Sequence, residues 1–160
     1  MTSEQMILEL TLNAWKAQLK RADQLFQSYT DEQLLSEIAP GKNSGFYLLG
    51  HLTASHDRLF ELLGLSTRLH PELDAAFLTS PDKSGLPVPT VAELKQYWAD
   101  VNTKLNDHLA KLLPSDWLQR HTQVSAEDFV KEPHRNKLNV IISRTSHVAY
   151  HLGQLVWLKK

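Results

Sequence analysis

The sequence contains no cysteine. This absence excludes disulfides, thiolate metal sites and cysteine nucleophiles, and it leaves histidine, aspartate and glutamate as the strong metal ligands. The 160 residues carry a formal charge of −1, and lysines and arginines form no long run. Because nucleic acids and anionic membranes attract basic patches, we expect neither of them as a partner.

Long apolar stretches are also missing, so the sequence predicts no membrane-spanning segment. Residues 1–5 show no basic region ahead of an apolar run, which argues against a secretion signal. We therefore expect a cytoplasmic protein. The length is typical of one domain, and we assign residues 1–160 to a single unit.

Several catalytic motifs are missing too. No glutamate is followed by a histidine three residues later, which excludes the paired motif of carboxylate-bridged di-iron bundles. Val148, and not glutamate, follows His147, which excludes a zinc-protease helix with its built-in base. The chain has no glycine-rich phosphate loop, nucleophile elbow or dinucleotide fingerprint.

What the sequence does contain is four long amphipathic segments with almost no strand pattern, and this predicts an all-α four-helix bundle. The segments run from about Ser3 to Tyr29, Ser44 to Gly64, Thr90 to Pro114 and Asn136 to Leu158. Lys159 and Lys160 follow, where positive charge suits a helix C-terminus. The connection 65–89 has room for one short helix, Pro71–Leu78, and residues 115–135 look irregular.

The last segment carries a chelating pattern, His147 and His151. Residues four apart lie on the same side of a helix, with Cβ atoms about 5–6 Å apart. Two neutral imidazoles placed in this way can share one divalent cation. Two ligands seldom make a site, so a neighbouring helix must supply a third.

His51 is the candidate for that third ligand. It lies about seven residues into the second segment, and His151 lies about seven residues before the end of the fourth. If these helices are antiparallel, the two depths match, whereas a parallel arrangement would separate them by roughly 12 Å. This match favours three histidines around one metal ion.

The other histidines look less suited to a metal site. Three fall in predicted connections and are expected to be solvated: His70, His121 and His134. His108 interrupts a core stripe, which is typical of a hydrogen-bonded core histidine. His56 falls on the opposite border of the second segment's stripe from His51, and its role stays open.

Two stretches resemble the DinB/YfiT-like superfamily of bundle proteins. They are Leu49-Gly50-His51-Leu52 and His147-Val148-Ala149-Tyr150-His151-Leu152-Gly153-Gln154-Leu155, the latter similar to the family signature H-x-x-x-H-x-G-Q. The resemblance spans essentially the whole chain in helix order and loop lengths. It implies an up-down-down-up bundle and a divalent metal held by His51, His147 and His151. Histidine ligands suit several transition metals, and we expect zinc or nickel.

The resemblance also implies an activity. Characterised relatives include S-transferases that use small thiols such as bacillithiol or mycothiol, and a thiol-dependent isomerase, and members are often homodimers. We therefore expect a metal-dependent transferase that activates a low-molecular-weight thiol for attack on an electrophilic substrate. Candidate supporting residues, each one helical turn from a ligand, are Ser55, Arg144 and Gln154.

Three alternatives remain open at this point. The same three-histidine site suits a metal-dependent hydrolase, because a bound metal also lowers the pKa of water. The second alternative is a metal-stabilised interaction protein without catalysis. Its contact surface would include Tyr150 and Trp157, which lie outside the apolar arc of the last helix. The third is that all three histidines are core residues and bind no metal.

Overall fold

The computed structural model describes residues 2–158, and this part of the chain is all-α, as predicted. It has no named strand and two isolated bridges. The helices are α1 Ser3–Ser28, α2 Asp31–Leu35, α3 Gly45–Asp57, α4 Leu59–Leu62, α5 Leu73–Phe77, α6 Val91–Leu109, α7 Pro114–Trp117, α8 Ala126–Lys131 and α9 Lys137–Leu155, followed by a 3-10 turn, Val156–Leu158. Lys159 and Lys160, expected to favour the end of the last helix, lie outside the described residues.

Capping residues explain where several helices begin. Thr30 and Thr90 each accept a hydrogen bond from the backbone of the residue three positions on, and those residues, Gln33 and Glu93, return a side-chain contact to the cap backbone. Asn136 caps α9 by accepting from a backbone N–H three residues later. These side chains satisfy donors that a helix start leaves without an intrahelical partner.

The second predicted segment is not one continuous helix. It is interrupted at Arg58, whose backbone stays in the helical region, and then continues as α4. The third segment ends at Leu109 and not at Pro114, because Lys111 N–H bonds to the carbonyl of His108 in a tighter turn. Pro114 instead occupies the first turn of α7, where its missing N–H costs nothing.

The irregular stretch predicted for residues 115–135 is therefore partly helical, since it includes most of α7 and all of α8. The predicted short helix Pro71–Leu78 exists as the shorter α5. Both regions are held by tertiary contacts: Thr122 N–H, for example, donates to the carbonyl of Leu62 at 3.0 Å. Helices as short as α7 and α8 gain little stability from propensity alone, which is why local sequence did not predict these two, whereas it did predict α5.

The core lies between the four longest helices. α1 packs mainly on α9 and α3 mainly on α6, while α5 and α9 also contact α3. The largest side chains of the core with almost no exposure are Trp15, Trp117, Phe60 and Phe77. Indole N–H groups are satisfied across helices, since Trp15 donates to Asn106 at 3.2 Å.

None of the helices in residues 2–158 is both long and apolar enough to cross a bilayer.

Candidate metal centre

The three predicted ligands converge on one point between α3 and α9. Nε2 of His147 lies 3.0 Å from Nε2 of His51 and 3.0 Å from Nε2 of His151. One ligand atom from each residue lies within 4.8 Å of the other two. His151 is buried and the other two rings are half-buried, so the cluster lies just below the surface.

The antiparallel course of α3 and α9 produces this convergence. Gly45, at the start of α3, lies against the side chain of Leu158, just beyond the end of α9. Six residues further along α3, His51 meets His147, which is earlier in α9. Later positions of α3 thus meet earlier positions of α9, which is the depth match that the sequence favoured.

Hydrogen bonds to Nδ1 set the tautomers of two ligands. His51 Nδ1 lies 2.9 Å from the carbonyl oxygen of Phe77, which can only accept, so Nδ1 carries the proton and Nε2 keeps a lone pair. His151 Nδ1 lies 2.6 Å from Oε1 of Gln154, and the amide nitrogen of Gln154 donates to the Tyr150 hydroxyl. His151 Nε2 therefore also presents a lone pair.

This donor set fits a cation. Nε2 of His147 carries at most one proton, so it cannot satisfy both facing lone pairs, and at least one of the 3.0 Å contacts lacks a proton. An ion at the centre would satisfy all three nitrogens. Tetrahedral Zn–N bonds of about 2.1 Å place nitrogens roughly 3.4 Å apart, so the rings need to separate by only a few tenths of an ångström.

At two of the three histidines burial favours the neutral imidazole, the form that binds metal. It lowers the pKa of His147 to about 4, with the nearby His151, His51 and Arg144 adding to the effect. Burial also lowers the pKa of His151, partly opposed by the hydrogen bond to Gln154.

A close approach of α5 to α3 supports His51. A Cβ atom on Gly50 would collide with the ring of Phe77, a side chain that is only 1% exposed. Only glycine at this position lets Phe77 lie where its carbonyl reaches the ligand. The role of Phe77 was not predicted from the sequence, because nothing local to residues 71–78 indicates which helix α5 packs against.

His56 has a structural environment and no place among the ligands. Its Nδ1 lies 2.7 Å from Oδ1 of Asn102, whose amide nitrogen donates to the carbonyl of Trp98 at 2.8 Å. The ring lies against the rings of Trp15 and Trp98. Burial lowers the pKa of His56 to about 3, so the ring is neutral.

Among residues 2–158, three buried side-chain atoms have no hydrogen-bond partner: His56 Nε2, Arg144 Nε and His147 Nδ1. Arg144 is one helical turn before His147, and its charge lowers the pKa of both His147 and His56. Three unpartnered polar atoms therefore belong to residues at or beside the histidine cluster. Ser55, the other candidate on α3, is buried at 5% exposure.

Asp57, the last residue of α3, binds the connection that leads to α5. It is fully buried and accepts hydrogen bonds from Arg68 Nε at 2.9 Å, Leu69 N–H at 2.8 Å and His70 N–H at 3.1 Å. These contacts fix the turn that leads into α5, so Asp57 supports the site indirectly.

The remaining histidines lie outside the cluster, and the expectations for two of them need correction. His70 is not a freely solvated residue, because its ring stacks on Tyr97 with ring centroids 3.9 Å apart. His121 is half-buried as well, and burial lowers its pKa. His134 is exposed, as expected, and His108 is half-buried with its ring edge against Phe60.

Similarity to known proteins is found at the level of the family. No curated protein matches the sequence. The family model described as the DinB superfamily matches residues 14–155, which include all three histidines of the cluster. The chain belongs to the DinB superfamily.

Proposed function

We propose that the protein binds a divalent metal through His51, His147 and His151 and transfers a low-molecular-weight thiol onto an electrophilic substrate. The convergence of the three Nε2 atoms carries this proposal. Zinc or nickel is the proposed ion, since imidazole nitrogen suits both. We further propose that residues 1–160 form one domain, a four-helix bundle in up-down-down-up order.

Contacts between α1 and α6 support that order. Trp15 of α1 hydrogen-bonds Asn106 of α6, and Asp23, further along α1, accepts from Trp98, which is earlier in α6. These two helices therefore run in opposite directions.

The second and third long helices support the same order. His56 of α3 meets Asn102 of α6, and Phe60 of α4 meets His108 later in α6. The two segments run in the same direction. The 28 residues between α4 and α6 leave ample chain for the return that a parallel pair requires.

The ligand set favours a catalytic over a structural metal site. Structural zinc sites are closed by four protein ligands, whereas three neutral histidines leave an open position and the full positive charge of the ion. A divalent ion in this position supplies Lewis acidity, which lowers the pKa of a bound thiol and makes it nucleophilic at neutral pH.

The chain's own residues orient the three histidines, and the cluster itself supplies no carboxylate that could act as a base. The Phe77 carbonyl and the Gln154 amide fix two rings with their Nε2 atoms pointing inward. The cluster within the described residues contains histidines only, with no aspartate or glutamate. Hydrolysis usually needs a positioned base to activate water. Thiol transfer can proceed without such a base, so it fits this site better.

A thiol panel tests the proposal. Zinc- and nickel-loaded protein is incubated with small thiols and monochlorobimane, and the conjugate is measured by fluorescence. We expect turnover by the parent protein and its loss when a chelator removes the metal. The His147→Ala variant should be inactive, and the His108→Ala variant should keep the activity. Metal binding with no turnover for any thiol would contradict the transferase, and metal-dependent ester hydrolysis would favour the hydrolase.

A non-catalytic interaction protein is the second candidate, favoured by exposed aromatic residues. Tyr150 on α9 is 64% exposed and Trp157 in the following 3-10 turn is 66% exposed. We propose that this surface supports a homodimer. Sedimentation of the protein and of a Tyr150→Ser/Trp157→Ser variant tests it, and a monomeric parent protein would contradict it.

A further inference from the structure

Arg144 is a half-buried cation without a counter-ion. Its Nε is buried and has no hydrogen-bond partner. No carboxylate among residues 2–158 lies within ion-pair distance of its guanidinium. Burial and the charge of Arg58 both lower its pKa, so the folded protein holds this charge at a cost.

The two carboxylates that pair with Arg58 and Arg68 do not pair with Arg144. Asp74 pairs with Arg58 at 2.7 Å and with Arg68 at 2.6 Å, and Asp57 pairs with Arg68 at 2.9 Å. Two arginines thus share these two carboxylates, and Arg144 pairs with neither of them. The Nε–H of Arg144 is a buried donor without an acceptor, and leaving such a donor unsatisfied costs free energy, which points to a partner from outside the chain.

The position of Arg144 places that partner at the metal site. Residues three apart on a helix have Cβ atoms about 5–6 Å apart, so Arg144 lies one turn from the ligand His147. A molecule held at the three Nε2 atoms can therefore also reach this guanidinium. A single guanidinium fork matches a carboxylate, which it binds through two parallel hydrogen bonds.

We propose that Arg144 binds a carboxylate, and that the thiol held at the three histidines carries this carboxylate on the same molecule. The assignment of a thiol rests on the proposed function above, whereas the carboxylate site rests on Arg144 alone. Binding of the carboxylate then gives the Arg144 Nε–H an acceptor and neutralises the charge of the guanidinium.

The carboxylate site is tested without any thiol. Uniformly ¹⁵N-labelled protein, as purified, is titrated with propionate and with propionamide, and the arginine Nε–H resonances are followed by NMR. We expect a saturable shift of the Arg144 resonance with propionate only. Arg58 is the internal control, because its Nε already donates to Asp74 at 3.0 Å. An Arg144 resonance that does not move, or that moves equally with propionamide, overturns the proposal.

The substrate assignment is tested by calorimetry on the zinc-loaded protein. We expect 3-mercaptopropionate to bind at least about tenfold more tightly than 3-mercaptopropionamide, the effect of a charge-assisted hydrogen bond. In Arg144→Gln the two affinities should differ by no more than about twofold, and Arg144→Lys should keep part of the preference for 3-mercaptopropionate. The control variant Arg58→Gln should keep the full preference.

The outcomes separate the two ideas. Equal affinity for both thiols in the parent protein, or a preference that Arg144→Gln retains, overturns the role of Arg144. If neither thiol binds, the proposed thiol function fails and the substrate assignment with it, while the propionate titration still decides the carboxylate site. Circular dichroism and thermal melting of each variant confirm that it is folded.

Discussion

The backbone carbonyl of Phe77 accepts a hydrogen bond from Nδ1 of His51 at 2.9 Å. This contact joins a short helix in the long connection to a histidine of the cluster on α3, and it leaves Nε2 of His51 with its lone pair. The ring of Phe77 packs where Gly50 has no side chain. The stretch around Gly50 and His51 therefore combines two linked features, a histidine of the cluster and the space for the helix that orients it.

Gly50→Ala is expected to weaken both the fold and the site. The added methyl group collides with a ring that is 1% exposed and has little room to move, and such overpacking typically costs about 1–3 kcal/mol. The displaced Phe77 carbonyl would no longer orient His51. Chemical denaturation measures the stability, and competition with a metal chelator measures the loss of zinc affinity.

Gly153→Ala is the control, because Gly153 is also within a helix but is exposed. A Cβ atom at Gly153 meets nothing within 4 Å. We expect this variant to be about 0.5–1 kcal/mol more stable than the parent, because alanine loses less backbone entropy than glycine in a helix. If Gly50→Ala is also stabilising and keeps full zinc affinity, the proposed role of the Gly50 space is wrong.

Gln154 is expected to control metal affinity through His151. Gln154→Leu removes the acceptor that lies 2.6 Å from His151 Nδ1, and loss of such an outer contact typically weakens metal binding about 10–100-fold. Gln154→Glu keeps an acceptor and should keep most of the affinity. The measurement is zinc competition at constant pH, and equal affinities for the leucine and glutamate variants would exclude this role.

Metal binding should stabilise the folded protein in proportion to its affinity. At a free zinc concentration of about 100 times the dissociation constant, linkage adds about 2.7 kcal/mol to the free energy of unfolding. His151→Ala removes one of three ligands and should lose this increment, whereas His108→Ala, away from the cluster, should keep it. Thermal melting with and without zinc provides the comparison, and an unchanged zinc response in His151→Ala would argue against the site.

Acid should destabilise the metal-free protein, in part through His56. Its pKa is about 3 when folded and about 6.5 when unfolded, so between these values the unfolded state binds more protons. The free energy of unfolding therefore falls as the pH drops below 6.5, by about 2 kcal/mol from this residue at pH 5.

Denaturation at pH 7 and pH 5 measures the slope of the free energy of unfolding against pH. His56→Gln should make the slope shallower, whatever its effect on stability at pH 7, because the titrating group is gone. His134→Gln, at an exposed position, should leave the slope unchanged. A parent protein equally stable at both pH values would show that the burial of His56 does not influence acid stability.

The sequence alone determined features that depend on helical periodicity. The spacing of His147 and His151 requires both rings on one face, and the capping residues Thr30, Thr90 and Asn136 mark helix starts, because both effects act within one or two turns. The depth of His51 also indicated the third ligand, since rise per residue converts sequence position into height along a bundle.

Only the tertiary structure decided which groups surround the ligands. The Phe77 carbonyl at His51, the stacking of His70 on Tyr97 and the missing partner of Arg144 each depend on how connections and helices pack together. Periodicity gives a residue its height and face on one helix, but the rotation of helices about their axes and the paths of loops are set by packing of the whole core. Local sequence therefore pointed to the three histidines, and the packing of the whole fold determined which groups surround them.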